Sequence, residues 1–220
     1  MVQKSLVPHS SARRGRPRAY DPEQALDQAM ATFWDAGYAA TSLDELSAAT
    51  GMNRPSLYGA FGDKHSLYLA TLERYRAAAR EDVRRALLAE VPLRQSLRRF
   101  YDKALSLYLS GEKGARGCFM IGTAATESVA DPEIRTFLLD ALREIEQALE
   151  ARIRATVATG ELPKDADTAA LGKIAASVLY SLAIQARAGL SKAGLEAIVT
   201  AALDLICGPA KAPRSGSKGK

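Results

Sequence analysis

An all-α protein of about nine helices is what this sequence predicts, on three observations. Apolar residues recur at helical steps along most of the chain, no segment alternates cleanly with period two, and Asp, Ser, Asn, Pro and Gly punctuate the chain where helices start and stop. Composition points the same way. Hydrophobic residues make up 47% of the 220 residues, mostly Ala and Leu, and aromatics only 6%. That is enough apolar surface for a core, in residue types that favour helices over β-strands.

The elements follow in order. Residues 1–19 are polar, basic and broken by Pro8, Gly15 and Pro17, and read as a disordered arm. Asp21-Pro22 starts the first helix as cap and first residue, Leu26, Met30, Phe33 and Trp34 give it an apolar face, and Gly37 ends it. Ser42-Leu43-Asp44-Glu45 is a capping box opening a short second helix that Gly51 stops. Asn53 caps a short third helix, with Pro55 in its first turn and an end near Phe61-Gly62. Asp63 caps a long fourth helix to about Ala89, with Leu67, Leu72, Tyr75, Ala79, Val83 and Ala86 on one face. Pro92 begins a fifth, Gly111 to Gly117 is a glycine-bearing loop, and residues 118–129 are expected as a mostly apolar sixth helix. Asp131-Pro132 repeats the cap-plus-proline start for a seventh helix to about Thr159; two more span roughly 166–188 and 192–206. These pieces group as a basic arm (1–19), a three-helix helix-turn-helix domain (20–66), a larger helical domain (67–207) and a second basic tail (208–220).

Charge is unevenly placed. The first 20 residues hold Lys4, Arg13, Arg14, Arg16 and Arg18 and no acid; residues 208–220 hold Lys211, Arg214, Lys218 and Lys220 and no acid. The stretch between carries 21 bases against 25 acids, so the net +5 belongs to the two ends. Basic arms on a mildly acidic body suit a polyanionic partner, though solubilising tails have the same composition. Cys118 and Cys207 form neither a disulfide framework nor a zinc cluster. The reducing cytoplasm is therefore the expected compartment. The N-terminus has no apolar h-region, and no stretch approaches the roughly 18 uninterrupted apolar residues of a membrane helix. With His9 and His65 as the only histidines, no Ser/His/Asp set, metal-ligand cluster or glycine-rich phosphate loop emerges. The sequence implies no cofactor, no metal and no enzyme.

The informative segment runs from Thr41 to Lys64, TSLDELSAATGMNRPSLYGAFGDK. Two short helices meet at a glycine turn, and Leu43, Leu46, Met52, Leu57 and Phe61 are placed to pack them together. The outer face of the second is left with Arg54, Ser56 and Tyr58, side chains able to bond phosphates or base edges in a major groove. Lys64 opens the next helix, where free N–H groups and the helix dipole favour a phosphate. Arg16 and Arg18, in the run RRGRPR, are candidates for an adjacent minor groove or for non-specific tethering.

At these residues the chain resembles the TetR/AcrR family of one-component regulators. The resemblance covers about residues 20–70: Phe33 and Gly37-Tyr38, Thr41-Ser42, the Leu46…Gly51-Met52 turn, Leu57-Tyr58…Phe61, and Lys64…Leu67-Tyr68. The body matches in helix number and size. Two departures stand out: Gly59 and Ala60 occupy positions where the family usually has a histidine or bulky aromatic, and Ser47 and Thr50 replace small apolar residues. The resemblance implies that Arg54, Pro55, Ser56 and Tyr58 lie on the recognition helix. It places Thr41, Ser42 and Lys64 at phosphate-gripping positions, with Thr41 having the alternative of simply sitting in the turn. It further implies a homodimer through the last two helices on a palindromic operator, and a repressor released by a small-molecule effector. Candidate ligand residues are Phe100, Tyr101, Tyr108, Phe119, Met120, Thr123, Glu127, Tyr180 and Gln185, against the plain alternative of ordinary core. Cys118, near Arg116, invites a redox-sensing reading against that of a buried inert thiol. The competing class is a helical ligand-binding or interaction protein whose helix-turn-helix no longer binds DNA.

Overall fold

The computed structural model describes residues 21–88, 90–111 and 114–209. The basic arm with Arg16 and Arg18, and nearly all of the basic tail, lie outside the described residues. Nine helices and no strand are found within them: α1 Pro22–Ala36, α2 Leu43–Thr50, α3 Arg54–Phe61, α4 Lys64–Leu87, α5 Leu93–Tyr108, α6 Ala125–Glu127, α7 Pro132–Ala158, α8 Thr168–Arg187 and α9 Lys192–Cys207.

The boundaries are set where the sequence places cap residues. Asp21, Ser42, Asn53, Asp63, Asp131, Asp167 and Ser191 each accept a backbone N–H from the first turn of the helix they precede. The capping box is complete, with Glu45 accepting from the Ser42 N–H at 2.7 Å. Gly51 closes α2 at φ 64°, the left-handed conformation that glycine adopts without strain.

One expectation about the fold needs correction. Residues 118–129 are not a plain apolar helix. Met120–Ala124 is a π-helical turn, and only Ala125–Glu127 continue as α. Gly122 sits within the turn against the Arg187 guanidinium, and the Thr123 hydroxyl donates to the Phe119 carbonyl at 2.8 Å. By length and mean composition α8 could cross a membrane, although Lys173 and Gln185 interrupt its apolar run. Its buried side, Gly172, Ala175, Ala176, Leu179, Leu182, Ala183 and Ala186, instead packs among α5, α7 and α9.

α1 and α3 pack on the first half of α4, and α2 packs on α1 and α3, while α4 also packs on α5 and α7. The division expected at 66/67 thus falls inside one helix. An aromatic cluster crosses that junction: Trp34 of α1 meets Tyr75 of α4 at 5.1 Å between centroids, and Phe119 lies 5.7 Å from Trp34 and 5.9 Å from Tyr68. The Trp34 indole N–H donates to the Arg116 carbonyl and the Tyr68 hydroxyl pairs with Thr123 at 2.6 Å, so hydrogen bonds fix what the rings fill. Residues 116–123 of the body are therefore in direct contact with α1 and α4.

Candidate nucleic-acid interface and effector cleft

Leu46, Met52 and Leu57 are buried, holding α3 across α2 and against α4. Thr50, unusual for an apolar position, is accommodated because its hydroxyl donates to the Leu46 carbonyl at 2.7 Å and accepts from the Met52 N–H at 3.3 Å. With that side occupied, α3 turns Arg54, Pro55 and Tyr58 to solvent, and Ser56 is half-buried. Tyr58 is 47% exposed, which excludes the core placement open to it from sequence. Gly59 is also exposed and has open space around it, so the far end of the helix is smooth. Arg54 donates from Nη2 to Asp44 at 2.8 Å, both groups largely in solvent. Such a pair is weak and can be exchanged for a phosphate or a base edge.

The flanking positions divide. Ser42 is exposed at the head of α2, its hydroxyl engaged with Glu45. Lys64 places Nζ 4.5 Å from the centre of the Tyr38 ring, a platform the sequence reading did not assign. Thr41 is corrected: it is 1% exposed and its hydroxyl donates to the Gly37 carbonyl at 2.6 Å. The turn after α1 uses that side chain internally, so it is not displayed to a phosphate.

The sequence-derived ligand residues also divide. Phe100, Tyr108, Met120 and Tyr180 line a recess of about 70 Å³ between α4, α5, α7 and α8. Tyr101 is core, donating to the Ala175 carbonyl at 2.9 Å; Phe119 and Thr123 belong to the junction cluster. Gln185 donates to Ser181 one turn back on α8, and Glu127 is half-buried beside the junction, where its charge adds to burial in raising the Tyr38 phenol. None of these five lines a described cavity.

A larger opening lies elsewhere. A cleft of about 790 Å³ runs between α4, α7 and the segment that links α4 to α5. Its walls are Ala79, Val83, Leu87, Ile145, Ala148 and Ala151, and its charged groups are Arg76, Arg80, Arg84, Arg152, Glu90, Glu144 and Glu161. It shares Ala79, Val83, Met120 and Ile145 as wall residues with the small recess. Volume and apolar lining are those of a small-molecule site. Glu144 accepts from Arg76 and Arg80, which hold its carboxyl at about 2.

Comparison with known proteins agrees with this architecture. The sequence pattern described as "Bacterial regulatory proteins, tetR family" matches residues 25–71, and the pattern described as "Tetracyclin repressor-like, C-terminal domain" matches residues 93–202. The chain belongs to the TetR family. It is 34% identical over 180 residues to the HTH-type transcriptional repressor ComR of Escherichia coli strain K12, covering 81% of this chain and 85% of ComR. The HTH-type transcriptional activator FasR of Mycolicibacterium smegmatis is 32% identical over 129 residues, 58% of this chain and 57% of FasR. Among solved structures, a cysteine mutant of the TetR family regulator CifR in complex with 26-base-pair operator DNA superposes with a TM-score of 0.74 at 31% identity, over 86% of this chain and 98% of CifR. The TetR pattern of residues 25–71 takes in the whole of α2, α3 and the Lys64 turn, the segment in which α3 stands exposed.

Proposed function

We propose that this TetR family chain is a cytoplasmic transcriptional repressor. It binds a palindromic operator as a homodimer and leaves it when a small molecule enters the α4–α7 cleft. One observation carries the reading: α3 is braced on one side by Leu46, Met52 and Leu57 and carries Arg54 and Tyr58 on a face the protein leaves uncovered, with the half-buried Ser56 at its edge. A helix of that kind fits the major groove, where a cation and a phenol bond phosphates and base edges. Ser42 and Lys64 grip the backbone on either side, Pro55 fixes the first turn, and Arg16 and Arg18 reach along the duplex. Thr41 shapes the turn that presents Ser42. Repression follows the similarity to ComR, which spans most of both chains, in preference to the partial similarity to the activator FasR.

The dimer forms through α8 and α9, whose Ile174, Ile184 and Leu205 stand exposed in the single chain. Two copies related by a two-fold axis read half-sites about one helical turn apart, and a small rotation of α4 changes their spacing. Selection of genomic fragments on the full-length protein tests the reading. The expected outcome is a small set of fragments sharing a palindrome. Recovery of random fragments, or of none, favours the alternative of a helical ligand-binding protein that has lost DNA affinity.

A further inference from the structure

The cleft charges are arranged unevenly. Glu144 is shared between the guanidinium groups of Arg76 and Arg80, with Glu73 pairing at their outer edge. Arg84 is matched by Glu81 at 2.8 Å. Glu161 spends its Oε2 on the Leu93 N–H at 2.7 Å, supplying the cap that Pro92 has no side chain to give α5. Glu90 is exposed at the mouth. Arg152 alone among the cleft arginines has no carboxylate partner among the described residues. Its Nη2 donates to the Val91 carbonyl at 2.5 Å and its Nε to the Ser96 hydroxyl at 3.3 Å, leaving the Nη1 hydrogens uncommitted.

We infer that the cleft binds an amphipathic monocarboxylate, its apolar body between α4 and α7 and its carboxylate on Arg152. This rests on the effector reading above and gives that effector its chemical class. Each alternative fails on the same residues. A cationic ligand meets Glu144 and Glu161, which already have partners, and otherwise only Glu90 in solvent at the mouth, and a neutral one leaves a half-buried guanidinium without a counter-charge. A carboxylate completes Arg152 with charge-assisted hydrogen bonds. The walls of Ala79, Val83, Ala148 and Ala151 form a smooth slot for a hydrocarbon, and the recess lined by Phe100, Tyr108 and Tyr180 takes its end.

The seat is also wired to the DNA-binding half. Ser96, to which Arg152 donates, itself donates to the Ala86 carbonyl at the end of α4 at 2.8 Å. Met120, which lines both cavities, begins the π turn whose Thr123 bonds Tyr68 near the start of the same helix. A ligand that draws Arg152 inward and presses on Met120 thus acts on α4 at both ends.

Calorimetric titration of the full chain without DNA, using decanoate, decanol and decylamine at neutral pH, tests this. Decanoate is expected to bind about tenfold or more tighter than decanol, as one charge-assisted pair allows, and decylamine weakest. Arg152→Met is expected to bring decanoate down to the level of decanol. Ala148→Trp, which fills the slot and leaves Arg152 in place, is expected to abolish the decanoate heat. Should Arg152→Met not fold, the wild-type comparison and the Ala148→Trp variant decide. Equal or tighter binding of decanol or decylamine, absence of decanoate binding, or an undiminished preference in Arg152→Met overturns the inference. Because DNA is absent from this titration, decanoate binding that leaves an operator complex intact supports the ligand class and rejects the effector reading. Release of the operator by other compounds, without decanoate binding, rejects the class alone.

Discussion

Cys118 shows how a neighbour in sequence is not a neighbour in chemistry. Arg116, two residues away, suggested a stabilised thiolate. In the fold its guanidinium lies 4.1 Å from the centre of the Trp34 ring and is turned towards Asp35. Cys118 is 6% exposed; burial pushes its thiol up, and the Tyr75 hydroxyl 3.4 Å away only partly offsets this. The thiolate fraction at neutral pH is therefore small, and access is restricted. Titration of the native protein with a thiol-reactive disulfide is expected to modify the half-buried Cys207 first, with Cys118 reacting only as the protein unfolds. Rapid modification of Cys118 in the folded state would restore the sensing role. Gly117 illustrates a second residue-scale constraint. It has φ 67°, and a β-carbon there would stand 2.5 Å from the Ala183 carbonyl, which belongs to α8. Gly117→Ala combines backbone strain with a clash between fixed backbones, so a loss of about 2 kcal/mol in chemical denaturation is expected. A neutral substitution would mean that this loop can back away from α8 despite the hydrogen bonds that tie it to Tyr108 at the end of α5.

At the scale of the element, α4 and α7 are joined by the Arg76–Glu144–Arg80 cluster. Glu144 has its carboxyl lowered from 4.5 to about 2, chiefly by hydrogen bonds from Arg80 and then Arg76. A depressed carboxyl stabilises the fold fully above its unfolded value and loses that contribution as the pH falls towards its folded one. The side chain is 37% exposed, so solvent screening limits the contribution to about 1 kcal/mol. Glu144→Gln is expected to lower stability by that amount at pH 7, with the two proteins converging as the pH drops from about 4.5 towards 2. A difference that persisted at the acid end would mean that packing, not charge, joins the helices.

What was legible in the sequence divides along the same line of range. Every cap in the first four helices, the Gly51 turn and the bracing of α3 are local patterns, and they appear where the residues place them. The cleft was not legible, because its walls come from α4 and α7, some 60 residues apart, and are made of alanines and arginines that read as an ordinary amphipathic surface. Aromatic residues drew attention instead. Tyr101 and Phe119 pack into the core, while the cleft residues Arg152 and Ala148 gave no signal that a one-dimensional pattern carries. The π turn was hidden for a related reason: Gly122 and Thr123 are compatible with a helix until Arg187 and Tyr68 arrive beside them.

For the whole molecule, the account makes one demand on DNA: the exposed side of α3, presented twice by a two-fold dimer, has to supply the sequence preference. The proposed function assigns affinity for any duplex to phosphate contacts from Ser42, Lys64 and the basic arm, and discrimination to Arg54 and Tyr58. The most direct measurement is fluorescence anisotropy of the full chain on its selected palindrome and on a scrambled duplex of equal length, repeated with Arg54→Ala and Tyr58→Phe and accompanied by thermal melts. The account predicts a preference of about a thousandfold or more for the palindrome in the wild type, falling by about tenfold in each variant, with melting temperatures unchanged. Equal affinity for both duplexes, or variants that keep the full preference, would contradict it.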